Sequence, residues 1–424
     1  MHIFFSGIGG TAIGPLAMIA KQAGYEVSGS DKQDSQYIQY LKSHGLDNIH
    51  IGQSQEKIEA VNQDLPIDWY VYSSAVAIEN PNAPELKYCQ QNGIKTSKRD
   101  EFLNHFIDEQ NLKLIAIAGT HGKTTTTAMV VWLLKQLDIP VSYSVGAKIP
   151  FGDMGEFSPD SEYFVLEADE FDRNFLAFHP YLSLITGIDW DHHEIFPSRA
   201  NYQEAFADFI DNSKHTAIWL DDAETIGFKP RRSDCVINSH GTKLKLVGEV
   251  NRQDAWQVIV GLQYQGIVKK DLSELIDIMN RFPGLSRRFE KLADNFYTDY
   301  AHTPAKIRGC IQTALEVSPN VVIVYEPLTN RRQHFIKDEY KDLFTGVKKL
   351  YWVPSYLARE DPSQEVLSPL ELIEFMDNKQ IAEPAELNEE LKKHIDEHRA
   401  AGDLVVCISG GGGGSLDEWA RLNS

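Results

Sequence analysis

The stretch from Leu114 to Leu137 constrains the fold more than any other. Leu114-Ile115-Ala116-Ile117-Ala118 reads as an apolar strand, Gly119 opens a turn, and Gly122-Lys123-Thr124 follows after two intervening residues. Met129-Val130-Val131-Trp132-Leu133-Leu134 and Leu137 then give a helix that is apolar on more than one side and is expected to be buried. This order sets a helix N-terminus at the carboxyl end of a strand, where backbone N–H groups and the helix dipole favour polyphosphate. A lysine in such a loop neutralises the terminal phosphates, and a threonine hydroxyl reaches Mg²⁺. Gly119, Thr120, His121, Gly122, Lys123, Thr124 and Thr125 are therefore the candidate polyphosphate cradle, with Lys123 at the terminal phosphates and Thr124 a metal ligand. The loop is shorter than the standard one, which has four residues between its glycines.

A second glycine turn lies at the start of the chain. His2 to Phe5 reads as a strand, Ser6-Gly7-Ile8-Gly9-Gly10 as a turn, and Leu16, Ala17, Ile19 and Ala20 as one face of a helix. Gly24 to Asp31 forms the next strand, ending in an acid. This is a nucleotide-binding βαβ pattern, in which Gly7, Ile8, Gly9 and Gly10 let backbone approach a diphosphate and Asp31 meets a ribose or neighbouring hydroxyl. A dinucleotide-binding dehydrogenase shows the same pattern, and glycines serving only a tight turn would too. Asp68 to Ala75 adds a strand with Ser73 and Ser74 at its carboxyl end, where ligands gather in doubly wound sheets.

With 424 residues the chain exceeds one ordinary core, so two or three domains are expected. Polar Asp108-Glu109-Gln110-Asn111 reads as a linker, and a third domain begins near Phe282-Pro283-Gly284. Gly146 to Asp160, rich in Gly, Pro and acid, reads as a surface loop. Acids recur at strand ends. Tyr163 to Glu170 places Glu167 where a carboxylate holds Mg²⁺ beside a phosphate loop, and Leu182 to His193 ends in Asp191-His192-His193. A net charge of −20 disfavours nucleic acid and anionic membrane as partners. No apolar run approaches the roughly 18–20 residues of a membrane span, so no membrane insertion is expected. Met1 to Phe5 lacks the basic start of a secretory leader, and the four cysteines lack metal-site spacing. A cytoplasmic protein is expected, as monomer or homodimer.

The loop Gly119 to Thr127 resembles that of the Mur ligases, ATP-dependent amide-forming enzymes of peptidoglycan precursor synthesis. The resemblance runs along the chain: Gly7 to Gly10, Gly24 to Asp31, Ser73 to Ala75, Asn80-Pro81, Arg99 to Leu103, Asp169 to Leu176, Arg287 to Glu290, Asp299 to Pro304, and Gly410 to Gly414 before Leu416 to Trp419. It implies an α/β protein of three domains. Residues 1–108 would be a Rossmann-like UDP-sugar domain, 109–282 a central phosphate-loop domain binding ATP, and 283–424 a Rossmann-like C-terminal domain for the amino acid. It also implies Mg²⁺ held by Thr124, Glu167 and His192, and a muramoyl site at Asp172 and Arg173. Arg288 would stabilise the phosphoryl group in transfer, with Asp299 and His302 near the incoming amine. Arg331 and Arg332, after the Glu326-Pro327 strand end, are placed to reach a substrate carboxylate.

Adenine is met in the family by a G-x-H-N-x-x-N-A segment. This chain keeps Gly248, Asn251 and Ala255 but has Val250 and Asp254 at the two other polar positions, so Asn251 is the expected contact. His121 before Gly122 points to the branch that holds both the ligases joining L-alanine to UDP-N-acetylmuramate and the related tripeptide-adding ligases, within which Gly119 to Thr126, Ser28 to Asp31 and the N-terminal glycine turn favour L-alanine. The tripeptide-adding branch is the alternative, Thr303 departs from the His-His-Pro of the alanine branch, and a catalytically inactive nucleotide-binding relative is the reading from another class.

Overall fold

In the computed structural model the described residues are all except 74–75, 77–81, 192–194, 358–359 and 362; the side chain of residue 36 is also left undescribed. Ser74, His192 and His193 therefore lie outside the described residues. The chain forms two compact units. One comprises Met1–Leu244 with Asp254–Phe282, the other Lys245–Gln253 with Pro283–Ser424.

The first unit holds two sheets. β1 (His2–Ser6), β2 (Glu26–Asp31), β3 (Ile49–Ile51), β4 (Trp69–Tyr72) and β5 (Lys95–Lys98) run parallel in the order β3-β2-β1-β4-β5. Strand order reverses between β1 and β4, which opens a crevice at their carboxyl ends, beside Gly7 and Ser73. β6 (Lys113–Ala118), β7 (Val141–Ser144), β8 (Gly155–Glu156), β9 (Tyr163–Glu167), β10 (Leu182–Ile185), β11 (His215–Trp219) and β12 (Cys235–Ile237) form the second sheet, ordered β12-β11-β10-β6-β9-β7-β8. Only β8 runs antiparallel to its neighbour here. Strand β6 is covered on both faces, as its unbroken apolar run requires, and is flanked by β10 and β9. That register aligns Ile117 with Glu167 and Ala118 with Ile185, so the ends of three strands converge on the loop that follows β6.

One apolar core joins these two sheets. Phe102 packs edge-on against Phe5 at 5.3 Å and Trp69 at 5.4 Å, while Phe106 meets Phe164 of β9 at 6.2 Å. Under the crevice a buried carboxylate ties strand ends together: Glu85 Oε2 accepts from Ser6 Oγ (2.9 Å) and Ser30 Oγ (2.8 Å). Burial holds its pKa above the usual carboxylate range.

Residues 146–160 are not simply a surface loop. Ile149 and Met154 are buried, β8 lies within the segment, and Phe151 packs on Trp132 at 5.2 Å. A Cβ at Gly155 would stand 2.7 Å from Pro15. The Gly/Pro/acid composition hid an apolar spacing that folds this segment back onto the helix Gly14–Gln22.

In the second unit β13 (Glu290–Ala293), β14 (Phe296–Asp299), β15 (Val321–Glu326), β16 (Lys349–Trp352), β17 (Ala382–Pro384) and β18 (Leu404–Ser409) are ordered β13-β14-β18-β15-β16-β17, parallel except for β13. Tyr325, Tyr340, Phe344 and Trp352 fill one face, and Val322, Val324, Cys407 and Leu416 the other.

Gly29 in β2 tests how tightly the first turn is packed. A Cβ there would lie 2.5 Å from Phe5 O and 2.8 Å from Ile8 Cδ1, with no flexible neighbour to give way. Gly29→Ala is expected to destabilise the protein by about 1–3 kcal/mol through overpacking, read as a lowered urea midpoint by circular dichroism.

Candidate active site

The helix Lys123–Gln136 begins where β6 ends, with Gly119 at φ 149° and Gly122 at φ 72° turning the chain between them. Gly119 could carry no side chain, because a Cβ there would meet Thr186 Oγ1 at 2.4 Å. Inside the loop Thr120 N donates to Gly187 O, and the helix ladder begins only at Thr126 N, which donates to Gly122 O. Among the described residues, the backbone N–H groups of His121, Gly122, Lys123, Thr124 and Thr125 accordingly take no backbone acceptor. Five consecutive donors at a helix N-terminus form an anion cradle.

Lys123 is held beneath that cradle. Its Nζ donates to Gly119 O at 2.6 Å and to Glu170 Oε2 at 2.7 Å, and its side chain is only 14% exposed. Burial alone would lower its pKa, but the carboxylates of Glu170, Asp169 and Glu167 outweigh this and raise it, so the ammonium stays charged. Tyr202 OH donates to Glu170 Oε1 at 3.3 Å and meets Thr120 Oγ1 at 2.8 Å. In the sequence reading Glu170 falls only within the Asp169 to Leu176 segment at the muramoyl site and Tyr202 only at the start of an amphipathic helix; neither is given a role at the loop. Their meeting with the loop depends on chain brought back from 47 and 82 residues away.

Thr124 Oγ1 donates to Glu167 Oε1 at 3.0 Å. A hydroxyl and a carboxylate side by side form a hard-oxygen pair that suits Mg²⁺, which usually takes one or two protein oxygens with phosphate and water completing its shell. Among the described residues no three His, Cys, Asp or Glu gather as a metal cluster. His121 stands 3.9 Å from Asp189 Oδ2, and the ring holds the Asp189 carboxyl below its ordinary range.

The first turn is built differently. Gly7 N and Ile8 N donate to Ser30 O, Gly10 N to Gly7 O, and Gly9 N to Asp31 Oδ2 at 2.8 Å. The fold thus consumes the N–H groups of all four residues predicted to face a diphosphate. Those of Thr11 and Ala12 take no acceptor among the described residues, a feature invisible in glycine spacing because it depends on where Ser30 O points. Asp31, expected at a ribose hydroxyl, braces the turn itself.

Asp172 and Arg173 both have left-handed backbone, at φ 55° and 56°. Two such residues in succession cost about 1–3 kcal/mol each and mark a held segment. Lys98 at the end of β5, another residue without a role in the sequence reading, holds it through a 2.9 Å ion pair to Asp172 Oδ2. Arg173 stacks over Phe196 at 5.4 Å.

In the second unit Arg287 and Phe289 also have positive φ (59° and 47°), and Asp299 accounts for the shape of this loop. Asp299 Oδ2 accepts from Phe289 N at 2.7 Å and Oδ1 from Ala301 N at 2.8 Å. Burial raises its pKa. Its oxygens are committed to backbone, which suits it to fixing the loop more than to taking a proton. Arg288 and Arg287 both lie over the Tyr300 ring, at 4.8 and 4.6 Å. His302 Nδ1 is 2.9 Å from Tyr300 O; since a carbonyl only accepts, Nδ1 carries the proton and Nε2 is the basic nitrogen. Arg331 is exposed, its backbone N–H bonded to Glu360 Oε2 at 3.0 Å, whereas Arg332 Nη1 is buried with no hydrogen-bond partner among the described residues. Asn251 also belongs to this unit and donates its amide to Val247 O at 2.8 Å.

Two family models match: "Mur ligase family, catalytic domain" over residues 2–111 and "Mur ligase middle domain" over residues 117–257, together more than half of the chain. A UDP-N-acetylmuramate–L-alanine ligase of Clostridium acetobutylicum is 29% identical over 450 aligned positions, covering 96% of this chain and 95% of its own. Among solved structures, a UDP-N-acetylmuramate–alanine ligase from Thermotoga maritima superposes with TM-score 0.76 at 24% identity, covering 100% and 98% of the two chains. A murein peptide ligase from Psychrobacter arcticus reaches TM-score 0.64 at 21% identity over 100% and 98%. At those identities the two structures speak to the fold alone.

Asp254 lies beside the loop in the first unit: a Cβ at Gly122 would stand 2.7 Å from its Oδ2. Burial pushes its carboxyl up to about 8. Between the ordinary carboxyl range and about pH 8 the folded protein retains a proton that the unfolded chain has released. Stability from this group is therefore full at acid pH and is lost as pH rises through that window. Asp254→Asn is expected to melt above the parent by a margin that widens from pH 5 to pH 8, reaching about 1 kcal/mol or more. A constant margin in differential scanning calorimetry would contradict this.

Proposed function

This chain belongs to the Mur ligase family, and from that premise we propose that it joins L-alanine to the lactyl carboxylate of UDP-N-acetylmuramate at the expense of ATP, in the cytoplasm. The observation that carries this is the run of five N–H donors from His121 to Thr125 with a charged, largely buried Lys123 beneath it. A second nucleotide-type turn at Gly7 to Ala12 belongs to the same compact unit. A ligase acting on a UDP-sugar and ATP uses both, whereas a dehydrogenase needs one. Full-length similarity to L-alanine ligases favours that acceptor.

A carboxylate is a poor electrophile toward an amine. The lactyl carboxylate oxygen attacks the γ-phosphorus, ADP leaves, and an acyl phosphate forms. The amine nitrogen then attacks the carbonyl carbon, a tetrahedral intermediate collapses, phosphate leaves, and the nitrogen gives up a proton. The cradle N–H groups and Lys123 would orient the triphosphate and offset charge on the phosphoryl group in transfer. Arg288 would stabilise the same group. Thr124, Glu167 and His192 would hold Mg²⁺, which when bound supplies charge neutralisation at the β- and γ-phosphates.

The UDP-sugar would occupy residues 1–108. There Thr11 and Ala12 supply the diphosphate N–H groups, Asp31 shapes the turn, Ser73 lines the crevice with Ser74 kept as a substrate-binding candidate, and Asp172 and Arg173 from the central region, 109–282, meet the muramoyl end. In residues 283–424 Arg332, with its unsatisfied nitrogen, fits the alanine carboxylate better than exposed Arg331. His302 Nε2 is the candidate to receive the amine proton. Asn251 remains the proposed adenine contact.

Phosphate release in the presence of ATP, Mg²⁺ and UDP-N-acetylmuramate is expected to require L-alanine. Release with L-Ala-D-Glu-diaminopimelate in its place would assign the chain to the tripeptide branch. Lys123→Ala should lower kcat by about 10³-fold, while calorimetric affinity for UDP-N-acetylmuramate stays unchanged. Glu167→Gln should raise the Mg²⁺ concentration for half-maximal rate, and its effect should be non-additive with that of His192→Ala, since ligands of one ion are coupled.

A further inference from the structure

We propose that Glu170 is a positioning residue that aims one N–H bond of Lys123 at the terminal phosphate of ATP, acting as the central link of a hydrogen-bonded ring closed by Tyr202 and Thr120. This rests on reading the Gly119 to Thr125 loop as the ATP site.

A lysine ammonium has three N–H donors and rotates freely about its last bond. Here two donors are assigned, one to Gly119 O at 2.6 Å and one to Glu170 Oε2 at 2.7 Å. The third then has a fixed direction. Glu170 is fully buried, so its own orientation must come from protein contacts. Its second oxygen takes the Tyr202 O–H at 3.3 Å; Tyr202, also fully buried, in turn accepts from Thr120 Oγ1 at 2.8 Å, whose single proton is shared with Asp189 O at 2.6 Å. Thr120 adjoins Gly119, so the chain of contacts returns to the loop that it orients. The arrangement has an electrostatic cost. A carboxylate beside the lysine cancels part of the charge that would otherwise attract ATP, so Glu170 favours direction over ground-state attraction. Its removal should therefore slow phosphoryl transfer more than it weakens ATP binding.

The test uses the full chain with Glu170→Gln, which keeps the shape and an acceptor oxygen, and Glu170→Ala, with thermal melting to establish that each is folded. Glu170→Gln is expected to lower kcat by about 10-fold and Glu170→Ala by about 10²-fold, the scale of loss for a misdirected group. KM for ATP should remain within about 3-fold of the parent or fall, as removal of a transition-state interaction requires. Tyr202→Phe should lower kcat less, and its effect should be non-additive with that of Glu170→Gln. Calorimetry separates positioning from scaffolding: ADP should bind the variants as it binds the parent, while an ATP analogue with a β,γ-methylene bridge should bind them as tightly or more tightly, because the carboxylate opposing its terminal phosphate is gone. An unchanged kcat in folded Glu170→Ala would overturn the proposal. So would an equal loss of ADP and analogue affinity, which marks a scaffold, or a raised Mg²⁺ requirement, which marks a ligand. If the unaltered protein releases no phosphate, the ligase reading fails, and the comparison of ADP with the analogue still decides the role of Glu170.

Discussion

A buried ammonium is tolerated only where anions surround it, and much of the first unit's site follows from meeting that need at Lys123. Taking the cation out of water would lower its pKa, but Glu170 and the acids ending β9 reverse this. β9 pairs directly with β6, so its terminal Glu167 and the following Asp169 and Glu170 fall beside the loop. β10 pairs on the other side and brings Thr186 and Gly187 against Gly119. The parallel register is therefore what converts a strand, a loop and a helix into a charged, water-poor cradle.

Both Rossmann-type sheets solve a related problem in a similar way. Their central strands end in polar residues that are buried before solvent begins. In the first sheet Glu85 gathers Ser6 and Ser30; in the second unit Glu326 takes Ser409 Oγ at 2.5 Å and Leu416 N at 3.1 Å. Burial raises the pKa of each carboxyl. An acid that satisfies hydroxyl and N–H donors from neighbouring strands fixes the strand ends, and the glycine turns begin one residue beyond.

The parallel α/β architecture and both glycine turns were legible in sequence because each is encoded locally, by an apolar run, a glycine pair and a following helix. The Lys123 to Thr124 step and the acid at Glu167 were legible for the same reason. Contacts set by tertiary register were not. Glu170 stands in a run of acids with nothing to single it out, Tyr202 reads as one face of an amphipathic helix, and Lys98 meets Asp172 across 74 residues. The first turn was only half legible: glycine spacing identified it but not which amides remain open, since Ser30 O and Asp31 reach in from the next strand. Residues 146–160 read as a surface loop because their Gly, Pro and acid content masks the apolar positions Ile149, Phe151 and Met154 that fold them back.

All four thiols are buried, and burial raises the pKa of each. Cys89 and Cys235 lie in the first unit, against Leu86 and within β12, while Cys310 and Cys407 lie in the second. A folded molecule is thus nearly silent toward alkylating reagents, and each modification event reports a local opening. The four sites act as separate clocks, two per unit, by which the breathing of each unit can be timed without adding a label.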